Sequence, residues 1–234
     1  MELKRANEEL SEVEKLKNDF IAIASHELRT PLGVIMGYAS FLQEAEDTST
    51  QEHASKVLDS ALKLRKIIED MVNLRYVKQK QSDLQREVMS VADLIGSLQR
   101  DSLAIIDTQK HNLKFEDVPD AEIYIDHTRT LMALTNVLHN AMSFTPEGGS
   151  ITISAQLINN PREVQLRVTD TGVGLEKHQL DKIFEEFYQI EDHMIRHHGG
   201  LGIGLSIARA IVNAHGGRIW AESPGVGHGA TVRI

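Results

Sequence analysis

The sequence predicts two domains of different class: an all-α helical hairpin that a second copy completes into a dimeric four-helix bundle, followed by an α/β (α+β) sandwich. Three observations carry this reading. The chain has 234 residues, more than the about 100–150 of a common domain. Its first 80 residues place apolar side chains at helical spacing without strand alternation, and beyond Gln81 the pattern becomes a mixture of strands and helices. Three glycine clusters, all in the second half, punctuate that mixture.

In the first domain, 1–80, a loose seam of Leu3, Ala6, Leu10 and Val13 reads as an N-terminal coiled coil. The first arm continues it with Leu28, Leu32, Ile35, Ala39 and Leu42. A break at Glu46–Ser49 turns the chain, and the second arm repeats the spacing with Ala54, Val57, Ala61, Leu64, Ile68 and Met71. Steps of three and four form a heptad-like stripe, and two arms alone leave each stripe half covered, so two chains are expected to pair. Pro31 removes a helical hydrogen bond and crowds the Glu27 carbonyl, so a kink is expected one turn after His26.

The polar stretch Val77–Arg86 marks the boundary, and 81–234 forms the second domain. There we expect helices at Val91–Thr108, Arg129–Phe144 and Ile203–His215, and strands at Ala121–Ile125, Ser150–Leu157, Glu163–Thr169, Gly217–Glu222 and Ala230–Ile234. The single tryptophan, Trp220, reads as core, and Phe184, Phe187 and Tyr188 read as an aromatic set packed inward.

Composition excludes several classes. With 25 basic against 34 acidic residues the formal charge is −9, which argues against a nucleic-acid partner. No cysteine occurs, so disulfides, thiolate zinc sites and cysteine nucleophiles are ruled out together, as suits a cytoplasmic location. No run of about 18 apolar residues is present, so this chain is not expected to insert into a membrane. The charged N-terminus lacks the apolar stretch of a secretory signal.

The chemistry-bearing patterns are three. Asp170-Thr-Gly-Val-Gly174 follows a strand, Gly199-Gly-Leu-Gly-Ile-Gly204 precedes a helix, and Gly225-Val-Gly-His-Gly229 precedes the last strand. Such clusters form turns or bring backbone N–H groups against phosphate, and three in one domain favour a nucleotide. Neither the dinucleotide spacing nor a Walker lysine is present. Asn136 and Asn140, one turn apart on a helix face, suit a hard cation carrying phosphate or a solvated face. His26, with Ala22, Arg29, Thr30 and Gly33 on its face and Glu27 beside it, is an exposed imidazole that reads as a nucleophile or as a surface residue without a role. His197 and His198 are adjacent and lack metal-ligand spacing.

Ser25-His-Glu-Leu-Arg-Thr-Pro-Leu32, Asn136-Val-Leu-His-Asn-Ala141, Asp170-Thr-Gly-Val-Gly174, Phe184-Glu-Glu-Phe187 and Gly200-Leu-Gly-Ile-Gly-Leu205 resemble, in order and spacing, the H, N, G1, F and G2 boxes of sensor histidine kinases. The likeness spans nearly the whole chain. It implies the cytoplasmic kinase core: a dimerisation and histidine-phosphotransfer hairpin, then a catalytic domain of the gyrase, Hsp90, histidine kinase and MutL (GHKL) type.

By this resemblance His26 is the phosphoacceptor, Glu27 its neighbouring base, and Thr30 the position that orients water for dephosphorylating the partner. Asn140 is the implied Mg²⁺ ligand and Asn136 its companion. Asp170 accepts the adenine amino group, Thr231 reaches the same base edge through water, and Gly172 and Gly174 let the chain pass close to the base. Gly200, Gly202 and Gly204 hinge a lid and present amides to phosphate, and Arg196 faces phosphate from that lid. The implied cofactors are ATP and Mg²⁺. The implied partners are a second copy, the receiver domain of a response regulator, and an upstream sensor domain in a full-length protein. Ser143 stands where the family usually carries a basic residue, and Leu201 where it carries Thr or Ser. The alternative is therefore a catalytically weak dimeric scaffold that docks a response regulator.

Overall fold

The computed structural model describes residue 28 and residues 32–43, 47–79, 83–105, 111–159, 162–190 and 202–234, divided between two compact units, 1–76 and 77–234. His26, Glu27, Thr30, Pro31, Arg196 to Leu201 and the N-terminal coiled coil lie outside the described residues.

The first unit is an antiparallel pair of helices, α1 (32–43) and α2 (Thr48–Gln79). Asp47 starts α2: its carboxylate accepts the Thr50 N–H at 3.0 Å and the Thr50 hydroxyl at 2.7 Å, occupying donors that the first turn leaves free. Leu32, Ala61 and Ile68 form the core with Met36 packed against it, and Ala39 and Ala54 are also buried. Leu32 and Ala39 on α1, and Ala54, Ala61 and Ile68 on α2, recur every seven positions. The other half of each seam does not bury: Leu28, Ile35 and Leu42 are 45–51% exposed, and Val57 and Leu64 are 45% and 38% exposed.

The second unit is an α+β sandwich, as expected. Its five-stranded sheet runs β2 (Asn112–Phe115), β4 (Ser150–Asn159), β5 (Arg162–Asp170), β7 (Thr231–Arg233), β6 (Trp220–Glu222). Only β2 and β4 are parallel. A separate ribbon pairs β1 (Glu87–Ser90) with β3 (Glu122–Ile125). Alternation sends Ile151, Ile153, Leu166, Val168 and Val232 to one face, where they are at most 6% exposed. Helices α3 (Val91–Ile105), α4 (His127–Phe144) and α5 (Gly204–Ala214) supply the opposing core residues, among them Leu94, Leu98, Leu134, Val137, Ile207 and Ile211.

The strands β1 and β2, each four residues long, were not expected from the sequence. Part of the boundary segment is also fastened down. The Gln85 N–H donates to Asp126 at 3.0 Å, the buried Arg129 guanidinium to the Asp83 carbonyl at 3.3 Å, and Arg86 to the Ala214 carbonyl at 2.9 Å. Asp126 also caps α4 through the Arg129 N–H. Its own N–H donates to His215 Nε2 at 3.0 Å. With Nε2 accepting, the ring proton sits on Nδ1 and donates to the Ile211 carbonyl.

Candidate functional site

The polar groups converge at one end of β5, where the strand ends on Asp170. Its inner-face position follows from pairing with fully buried Ile151. Oδ1 accepts two backbone bonds, from the Gly172 N–H at 2.8 Å and the Ala230 N–H at 3.1 Å. Among the described residues no hydrogen bond reaches Oδ2. Burial raises the Asp170 pKa above its ordinary 3.8, and the two amide donors oppose that shift. The result is a fixed carboxylate with one free oxygen, suited to accept from a ligand N–H donor.

The walls are loops in close contact. The Val173 N–H donates to the Phe144 carbonyl at the end of α4 at 3.1 Å. A Cβ on Gly172 would collide with that carbonyl, so only glycine lets the loop approach so closely. On the other side Gly229 donates its N–H to the Gly172 carbonyl at 3.0 Å, and Gly227 to the Val173 carbonyl at 2.6 Å. Gly229 has φ +70 and a Cβ there would strike the Asp170 carbonyl. Gly174 lies where the loop passes Gly225. Two of the three glycine clusters thus form two facing walls, one from each loop.

Asn136 and Asn140 are on α4, as expected, but play different parts. Asn136 is 8% exposed; its amide donates to the Met132 carbonyl at 3.0 Å, and its oxygen faces Gly204 at the start of α5. Asn140 is half-buried and its carboxamide makes no hydrogen bond among the described residues. Of the third cluster, Gly202 accepts from the Phe187 N–H at 3.1 Å. Ser143 turns its hydroxyl back to the His139 carbonyl at 2.9 Å. Among the described residues no group of three or more His, Asp or Glu could hold a metal.

The structure does not bring the Thr231 hydroxyl to Asp170. Thr231 pairs directly with Thr169, and their hydroxyls are 3.0 Å apart. Direct partners share a sheet face, whereas the next residue, Asp170, emerges on the other. Ala230, through its backbone, does reach Asp170, and sequence reasoning missed it because a backbone donor has no residue-type signature. It also missed Ser223, which follows β6 and whose hydroxyl touches both walls.

The aromatic set divides. Phe184 is 3% exposed, in the short 3-10 turn Lys182–Phe184, but Phe187 is 58% exposed with φ +63. Its N–H is tied to the Gly202 carbonyl in a backbone conformation that turns the ring outward. Trp220 is half-buried rather than core, and its indole N–H donates to Glu222 at 3.0 Å. A cavity of ≈ 710 Å³ lies at the other end of β5, lined by Leu134, Leu157, Leu166, Ile211 and Trp220. The converging polar groups are at Asp170 instead.

Residues 16–79 match the His Kinase A (phospho-acceptor) domain, and residues 125–234 match the histidine kinase-, DNA gyrase B-, and HSP90-like ATPase domain. The chain is 31% identical to the sensor histidine kinase WalK of Bacillus subtilis over 225 residues, covering 92% of this chain and 36% of WalK. Full-length ShkA in complex with AMPPNP superposes with a TM-score of 0.72 at 24% identity, covering 92% of this chain and 44% of ShkA. ThkA in complex with the response regulator protein TrrA gives 0.64 at 24%, covering 100% of this chain and 66% of that one. No helix among the described residues is long and apolar enough to cross a membrane. With a phospho-acceptor domain followed by a GHKL-type ATPase domain, the chain belongs to the sensor histidine kinase family.

Proposed function

We propose that this chain is the working core of an ATP-dependent protein-histidine kinase: it binds ATP, autophosphorylates His26 and passes the phosphoryl group to an aspartate of a response regulator. The observation that carries the reading is the Asp170 carboxylate, pinned through Oδ1 by two backbone amides and open at Oδ2, as an adenine amino group requires. Gly172 and Gly174 let the backbone of this loop pack against Phe144 and Gly225, and are assigned to letting the chain pass close to the base. Asn140, with an unengaged carboxamide, suits a Mg²⁺ ligand, and Asn136 sets the spacing of α4 and α5 beside it. When bound, Mg²⁺ supplies charge neutralisation at the phosphate oxygens. Arg196 and the lid glycines Gly200, Gly202 and Gly204 are assigned to the phosphates.

In the transfer a ring nitrogen of His26 forms a bond to the γ-phosphorus, the bond to the β–γ bridging oxygen breaks, and ADP leaves. Glu27 accepts from the other ring nitrogen and raises the basicity of the attacking one. Thr30, one turn on, orients water when the regulator is dephosphorylated. Thr231, whose hydroxyl pairs with Thr169 on the sheet face opposite Asp170, is given no part in reading the base.

A homodimer is supported by the uncovered halves of the α1 and α2 seams. Val34, Tyr38 and Phe41 form a second exposed stripe on α1, at 54–74% exposure, and suit a receiver domain that must reach the same helix. Because the chain spans 36% of WalK, the signal-sensing part is assigned to sequence beyond it.

The test is incubation with γ-labelled ATP, with and without a chelator. The expected result is Mg²⁺-dependent label that is lost in acid and survives base, as a phosphoramidate does. ATP binding without such label would replace this reading with the scaffold.

A further inference from the structure

One side chain outside the recognised motifs touches both walls of the Asp170 pocket. Ser223 follows β6, and its Oγ accepts the Leu175 N–H from the 170–175 loop at 3.0 Å and the Gly225 N–H at 3.2 Å. Its single proton faces the Gly229 carbonyl at 2.7 Å, with the Gly225 carbonyl farther away at 3.3 Å. A hydroxyl has one donor and two acceptor positions, so all three are used.

The two tethered segments carry the two donors that fix Asp170. The Gly172 N–H comes from the 170–175 loop, and the Ala230 N–H comes from the residue after Gly229. The pocket therefore has its base-facing group on one loop and half of that group's support on the other. The backbone bonds Gly229 to Gly172 and Gly227 to Val173 align the loops. Ser223 adds a side-chain link between the two, its Oγ accepting from the Leu175 N–H of one loop and donating to the Gly229 carbonyl of the other.

We propose that Ser223 is a positioning residue for base recognition: by tying the 170–175 loop to the 223–229 loop, it holds Asp170 where a purine's amino group is read. The proposal rests on the ATP reading of the same pocket. A donor–acceptor match such as Asp170 with an exocyclic amino group discriminates only if its placement is held. Loosening the tether therefore costs discrimination between adenine and guanine, because guanine carries a carbonyl where adenine carries its amino group. The phosphate-facing groups lie elsewhere, so the chemical step is unaffected.

The experiment uses the full chain and measures ATP and GTP binding by calorimetry, and KM and kcat of autophosphorylation, for wild type, Ser223→Ala, Ser223→Cys and Ser223→Thr. Cysteine keeps the shape with much weaker hydrogen bonds, so it serves if the alanine variant is too unstable to assay; threonine keeps the hydroxyl. For Ala and Cys the expected result is an ATP KM raised about tenfold, a preference for ATP over GTP reduced about as much, and kcat within about twofold, because an N–H of each loop loses its acceptor. Threonine restores both values. If Ala or Cys keeps wild-type KM and preference, or lowers kcat without changing preference, the proposal is overturned. A wild-type chain that binds ATP and GTP alike instead overturns the ATP reading on which it rests.

Discussion

The two units finish their cores differently. In the ATPase unit, the inner sheet residues and the α3–α5 residues opposite them are closed within one chain, with Ile151, Val137 and Ile207 all at 0% exposure. In the helical unit every second seam position is closed and the intervening ones are open: Leu32 and Ala39 are at 3% and 2%, but Ile35 is at 46%. The same heptad pattern thus serves two interfaces, one within the hairpin and one outside it. The unit that matches the ATPase domain closes its core within one chain, whereas the helical unit leaves half of each seam uncovered, as the proposed dimer requires.

The largest effect that would sharpen this contrast comes from Ile35→Asp. A carboxylate on the uncovered seam would have to be desolvated for a second copy to dock. The chain is expected to become monomeric, with dimer dissociation raised more than about 100-fold, while ATP affinity stays within about twofold. Light scattering and calorimetry on one sample read both. A smaller effect, confined to the other unit, comes from Asp170→Asn. The variant is expected to lose about tenfold or more in ATP affinity, because the free oxygen becomes an amide that can present a donor to the base, yet it remains a dimer. Its stability moves the other way. Burial raises the Asp170 pKa, so the residue's contribution to stability is full below about pH 3.8 and declines as pH rises through the folded-state value. The neutral asparagine avoids that decline. The variant is expected to melt above wild type at pH 7, with the gap closing toward pH 3.8, in thermal unfolding followed by circular dichroism.

The sequence showed the contrast in part. The seam Ala54, Val57, Ala61, Leu64, Ile68 read as one stripe, and its division into buried 54, 61, 68 and exposed 57, 64 requires the partner arm's position. Asp170, Asn140 and the glycines were legible because each carries a special residue type at a chemically meaningful spacing. The grouping of the 170–174 and 225–229 clusters depends on the β5 and β7 register, which distant sequence does not encode by pattern. Ser223 has no motif, since one serine before a glycine run reads as a turn. Phe187 read as core because it is aromatic, but its backbone conformation sends it outward. The 83–86 segment read as part of the polar boundary stretch, and its fastening was not legible because its anchors, Asp126, Arg129 and Ala214, are far away in sequence.

The central claim is that nucleotide binding and phosphate acceptance belong to different units. The most direct test is to measure, on His26→Gln, both ATP affinity and acid-labile label from γ-labelled ATP. The account predicts unchanged affinity and no label, with wild type showing both. Label that persists in His26→Gln, or ATP affinity that falls with it, would contradict the division.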